Sequence, residues 1–183
     1  YIQDTFKIFS EFASKFHYKG FVRQAVQAHL VDICDLMAEY YLWNKNLRIV
    51  QGSGVYNDPL WQAIKNPEKI LEKYCYISRQ NNIHGQVPFI ATVCNRNLVT
   101  EIKKVLPSPH MLEFQMLYGP FGRELGETLL KEGYYVRIYI PFVVDWCKDE
   151  WKEYGLRRSA MMRRLILREI KYKLKKRLNK KQG

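Results

Sequence analysis

Apolar positions along the chain fall into five short runs rich in branched and aromatic residues, each bounded by polar or turn residues. They are Val22 to Ala28, Leu47 to Gln51, Pro88 to Val93, Leu112 to Leu117 and Val136 to Ile140, and this composition predicts strands. Between them lie longer stretches with apolar residues at helical spacing: Asp32 to Trp43, Pro67 to Gln80, Leu98 to Val105 and Arg123 to Glu132. A further helix is expected over Ile8 to Tyr18, and one or two more from about Lys148 to Lys176. Most strand-to-strand repeats are about 24 residues, the size of a compact βα unit. The second is longer, with loop punctuation at Gly52-Ser53-Gly54 and Asn57-Asp58-Pro59.

Alternating strands and helices predict a parallel sheet, either open or closed into a barrel. Polar residues gather at the ends of the strand runs: Gln27, Gln51 with Gly52, Thr92 and Gln115. Both architectures bind ligands at the C-terminal ends of their strands, so this clustering does not separate them.

Composition narrows the partners. The 183 residues are 47% hydrophobic and 26% charged, values of a folded domain. The net charge of +12 is unevenly placed. From Arg163 onward, ten Lys and Arg accompany a single acid, Glu169, so this stretch holds +9 and the remainder about +3. That confinement, with no aromatic-basic binding face, argues against a nucleic-acid module. Leu165, Ile166, Ile170, Leu174 and Leu178 make the same stretch a basic amphipathic helix, of the kind that lies on anionic membranes or binds acidic partners, when it is not simply solvated. We therefore expect a domain over residues 1–160 and a basic tail over 161–183. Cys34, Cys75, Cys94 and Cys147 are scattered without metal-ligand spacing, which fits inert thiols in a reducing compartment. Tyr1 in place of Met suggests an excerpt or a processed product.

The segments with candidate chemistry occur in a definite order. Gln27-Ala28-His29 closes the first run, and Leu47-Arg48-Ile49-Val50-Gln51-Gly52-Ser53 forms the second. Ala91-Thr92-Val93-Cys94-Asn95-Arg96 ends the third, and Glu113 to Gly119 reads EFQMLYG. Val136 to Pro141 reads VRIYIP, and Tyr154-Gly155-Leu156-Arg157-Arg158 follows. On a helix, Tyr154 would lie beside both guanidinium groups. Two such forks next to one ring suit a small, flat carboxylate. Glu113 on a buried strand needs a partner, and Arg137 on the next strand is the expected one.

In this order and spacing the segments resemble proline dehydrogenase, over roughly Val22 to Arg158. The resemblance implies an α/β fold of the (β/α)8 TIM-barrel type, here its C-terminal five or so strands plus a C-terminal helix. It also implies FAD as cofactor and oxidation of L-proline to 1-pyrroline-5-carboxylate, with electrons passed to a quinone at a bacterial cytoplasmic or mitochondrial inner membrane. Arg48 would be the catalytic, flavin-facing cation. Gln27, Gln51, Gly52, Ser53, Thr92, Val93, Gln115 and Leu117 would contact the cofactor. Tyr154, Arg157, Arg158 and Tyr139 would contact proline, the arginine pair gripping its carboxylate.

Three positions depart from the family pattern: Gln51 replaces Lys, Val93 replaces His and His29 replaces Tyr. Thr92 also has a purely structural reading, as cap of the following helix. The family's substrate lysine and an acidic residue belong to strands this chain lacks. A second reading follows, in which the chain is a partial or catalytically degenerate relative that binds without catalysing.

Overall fold

A computed structural model of the chain describes residues 2–15, 23–51, 62–91, 95–117 and 119–139, together with 163, 167 and 170. The chain divides into two compact units, Tyr1–Tyr139 and Ile140–Gly183. In the second, positions 163, 167 and 170 are helical and exposed. The boundary expected at 160/161 lies outside the described residues.

The first unit opens with α1 (Ile2–Lys15) and then alternates strand and helix. In chain order these are β1 (Gln24–Gln27), α2 (Ile33–Glu39), β2 (Leu47–Val50), α3 (Pro67–Ile83), β3 (Phe89–Ala91), α4 (Arg96–Val105), β4 (Glu113–Leu117), α5 (Pro120–Lys131) and β5 (Tyr135–Tyr139). Every expected strand and helix of this unit is present. The first helix starts six residues earlier than expected, because Ile2, Phe6 and Phe9 continue one apolar stripe at spacings of four and three.

Local chemistry sets the boundaries. The Asn66 side chain accepts from the Glu68 and Lys69 amides at 2.8 and 3.3 Å, and Pro67 follows at the first helical position, so α3 starts there. At the other end of α5, Gly133 takes a φ of 86°. That left-handed turn lets the Gly133 and Tyr134 amides bond back to the Leu130 and Leu129 carbonyls, which ends the helix and launches β5.

All five strands are parallel and stand in the order β1-β2-β3-β4-β5. Parallel crossovers are right-handed, so a sheet that grows in one direction puts its helices on one face. The packing agrees. Val26, Ile49, Ile90 and Phe114 share a register row and form one core with Phe6, Leu36, Tyr74, Ile77, Leu98, Ile102, Leu125 and Leu129 of the helices. A doubly wound sheet would reverse direction and carry helices on both faces. The arrangement is that of a partial β/α barrel, with five of the eight strands that closure requires.

Two polar side chains of α3 tie β2 and the loop before it to this helix. The Tyr74 hydroxyl donates to the Ile49 carbonyl at 2.6 Å, and Asn81 donates to the Trp43 and Lys45 carbonyls at 2.7 and 3.0 Å. Further along the surface, residues 62–64 run antiparallel to the turn after β1, with Ile64 N bonded to His29 O and Val31 N to Gln62 O.

Candidate active site

Side chains alternate along a strand, so the face opposite the helices is made of every second residue. On it stand Ala25 and Gln27 of β1, Arg48 and Val50 of β2, and Phe89 and Ala91 of β3. Glu113, Gln115 and Leu117 of β4 and Tyr135, Arg137 and Tyr139 of β5 complete it. The helix-facing rows are almost wholly apolar, whereas this face carries most of the charged and amide groups of the sheet.

Four of these groups form one chain of hydrogen bonds across three strands. Arg48 Nε donates to Gln115 Oε1 at 2.8 Å. Gln115 Nε2 donates to Glu113 Oε1 at 3.0 Å. Arg137 closes a fork on Glu113, Nε to Oε1 at 2.7 Å and Nη2 to Oε2 at 3.0 Å. Gln115 is buried and Glu113 nearly so, so leaving either without partners would be costly. The Glu113 bond raises the pKa of Arg137 above the usual guanidinium value. The expected pairing of Glu113 with Arg137 is therefore present.

Arg48 differs from Arg137 in its company. It is half-buried, and its hydrogen bond is to a neutral amide. Among the described residues no carboxylate pairs with it.

Two neighbours escaped the sequence reading. Arg23, just before β1, lies flat on Phe89 with its guanidinium carbon 3.7 Å from the ring centroid. Its buried Nε has no partner among the described residues. Desolvation, then repulsion from Arg137, lower its pKa, and attraction to Glu113 partly offsets this. Arg23 falls inside the expected first strand with nothing to mark it, and its stack on Phe89, two strands away, follows only from the folded sheet. The second is Asn95, whose Nδ2 donates to Gln51 Oε1 at 3.3 Å and so joins the end of β2 to the start of α4. Its Oδ1 accepts from Leu98 N at 3.3 Å, making Asn95 the cap of α4. The cap considered for Thr92 thus belongs to Asn95, three residues on.

The structure brings Arg48 and Gln115 together, with Leu117 two residues above Gln115 on the same strand face. Gln27 is level with Val50 on β1, and Tyr139 is level with Leu117 on β5 and about half exposed. Gln51 follows β2 directly. Gly52, Ser53, Thr92, Val93, Tyr154, Arg157 and Arg158 lie outside the described residues. Among the described residues no cluster of His, Cys, Asp and Glu could hold a metal, and no helix is long and apolar enough to cross a membrane.

No protein-family model matches the chain. It is 32% identical over 153 residues to proline dehydrogenase 2 of Bacillus subtilis, covering 79% of this chain and 46% of that protein. Proline dehydrogenase of Deinococcus radiodurans is 31% identical over 105 residues, 55% of this chain and 33% of that one. The chain thus spans less than half the length of these curated relatives. Among solved structures, proline utilization A from Bdellovibrio bacteriovorus superposes with a TM-score of 0.61 at 20% identity, over 77% of this chain and 17% of that one. Proline utilization A from Bradyrhizobium japonicum gives 0.60 at 18%, over 74% and 16%. Those two likenesses bear on the fold alone and agree with the partial barrel. With the sequence identity extending over four fifths of the chain and a β/α sheet of matching topology, the chain belongs to the proline dehydrogenase family.

Proposed function

We propose that this chain supplies the C-terminal β/α units of a flavin-dependent proline dehydrogenase, which oxidises L-proline to 1-pyrroline-5-carboxylate. The observation that carries the reading is Arg48: a half-buried guanidinium on the polar face, held by a neutral amide, with no carboxylate partner among the described residues. Such a cation fits a group that becomes negatively charged as it is reduced. Bound FAD would supply the hydride acceptor for the proline C5 hydrogen, with a quinone as the eventual electron sink.

The chain's own residues then divide the work. Arg157 and Arg158 would hold the substrate carboxylate, Tyr154 would pack on the pyrrolidine ring, and Tyr139 would also contact proline. Arg48 would stabilise the charge that develops on the cofactor. Gln27, Gln51, Gly52, Ser53, Thr92, Val93, Gln115 and Leu117 would hold the cofactor. Holding both reactants in a fixed orientation is the larger part of the catalysis. The basic tail beyond residue 160 gives peripheral contact with an anionic membrane, where quinone resides.

A second reading, a relative that binds without catalysing, draws support from Gln51. Where the family has a lysine, this amide is bonded to Asn95. One experiment separates the two. The longest natural form carrying this chain is reconstituted with FAD and mixed anaerobically with L-proline while its visible spectrum is recorded. Bleaching of a bound flavin band, abolished by Arg157→Ala at moderate proline, is expected. A bound flavin that never bleaches supports the second reading, and absence of bound flavin overturns the role given to Arg48.

A further inference from the structure

We infer that Glu113 is a positioning residue for Arg48, acting through the side-chain amide of Gln115. The inference rests on the reading of Arg48 just given, and it adds a device that fixes this guanidinium without pairing it to a carboxylate.

The argument starts from polarity. An ionised carboxylate only accepts hydrogen bonds, whereas a glutamine amide has one donating and one accepting end. Glu113 and Gln115 are two residues apart on β4 and so share a face. Glu113 Oε1 therefore draws the donor end of Gln115, Nε2, to itself at 3.0 Å. The acceptor end, Oε1, is left facing the other way and meets Arg48 Nε at 2.8 Å. Reversing the amide would set oxygen against oxygen at Glu113 and two N–H groups against each other at Arg48. One carboxylate thus specifies the amide's orientation.

Charge is the second half. Glu113 is already neutralised by Arg137, whose fork occupies both of its oxygens. A carboxylate placed directly on Arg48 would fix it equally well but would cancel its charge. Gln115 stands between, so Arg48 is gripped at Nε by a neutral atom, and its terminal nitrogens have no partner among the described residues. The register makes this reach possible: Arg48, Phe89 and Glu113 form one row, with Ala91, Gln115 and Arg137 the row above.

The test needs neither flavin nor proline. Proton–nitrogen NMR of the full chain detects arginine Nε–H groups, and the Arg48 signal is identified by its loss in Arg48→Lys. In the wild type this proton should exchange slowly with water. Glu113→Ala should speed its exchange by at least about tenfold, the worth of roughly one hydrogen bond, while the backbone amides of the sheet keep their dispersion. Arg137→Leu, which leaves Glu113 to orient Gln115, should preserve the slow exchange. A merely structural role for the ion pair would make both variants alike.

If Glu113→Ala does not fold, the double variant Glu113→Leu/Arg137→Leu removes both charges together and should show the same loss at Arg48. Unchanged Arg48 exchange in a folded Glu113 variant overturns the proposal. A flavin titration run beside it reads the function separately. Loss of Arg48 protection in a chain whose wild type binds no flavin keeps the positioning device and discards the dehydrogenase reading.

Discussion

Asn95 holds two partners at once, the Gln51 side-chain oxygen with its nitrogen and the Leu98 amide with its oxygen. The first bond joins the end of β2 to the start of α4, and the second caps that helix. An aspartate at 95 keeps an acceptor for Leu98 but loses the donor to Gln51, whereas alanine loses both.

The two substitutions therefore separate the bonds. Asn95→Ala should lower stability by about 1 kcal/mol through the lost cap. Asn95→Asp should retain most of that stability, because the acceptor remains and its charge suits a helix N-terminus. Urea denaturation of the three proteins measures this. Equal losses in both variants would mean that the bond to Gln51, rather than the cap, carries the stability.

Buried His29 introduces an acid-sensitive term. Its Nδ1 finds no partner among the described residues, and burial holds its pKa below the usual histidine value. The unfolded chain takes up a proton near pH 6.5, which the buried ring resists. The stability is thus present above about pH 6.5 and is lost as pH falls from there through the folded value. Wild type should lose urea resistance between pH 7.5 and 5.5, and His29→Tyr should lose less. A parallel loss in the variant would remove His29 as the cause.

Gly126 offers the opposite kind of change. It lies inside α5, and a methyl group there would meet Val136, Met116 and Ile138 side chains at 3.5, 3.6 and 3.8 Å, ordinary contact distances. No positive φ demands glycine at this position. Gly126→Ala should stabilise the protein by about 0.5–1 kcal/mol, raising the thermal midpoint. A lower midpoint would show that α5 cannot give even that much room.

Thiol chemistry provides a check on packing. Burial pushes the Cys75 thiol up to about 11 and raises that of Cys34 as well. The thiolate is the nucleophile, so both should resist iodoacetamide at pH 8 and react once urea is added. Peptide mass spectrometry reads the two sites individually. Rapid labelling of either one in the native protein would contradict its half-buried setting.

Legibility in the sequence followed physical range. Strands and helices of the first unit depend on local apolar spacing, and all were readable within a few residues. Gln27 and Gln115 stood out as polar residues at strand ends, whereas Arg48 and Tyr139 were named through the family resemblance; alternation puts all four on the face away from the helices. Apolar spacing alone left open sheet and barrel undecided, since the choice depends on which strand lies beside which; the family resemblance pointed to the barrel, and the strand order agrees with it. Arg23 and Asn95 were missed for the same reason: each acts on a strand other than its own, Arg23 on β3 and Asn95 on the end of β2, and nothing in its own surroundings announces that. The Glu113–Arg137 pair was anticipated because a buried carboxylate requires a cation, but its bond to Gln115 follows only from side-chain geometry.

Strand order equals chain order throughout the sheet, so no segment threads between two laid down earlier. Each βα unit closes its own short loop and leans only on the units beside it, which keeps the entropy of each closure small. The sheet can be laid down one unit at a time as the chain emerges from a ribosome, each strand finding its neighbour already in place. Its middle strands are shielded on both sides, whereas β1 and β5 each have a described strand on one side only. Native-state hydrogen exchange should therefore form a gradient along the polypeptide, slowest near Ile90 and faster toward either end.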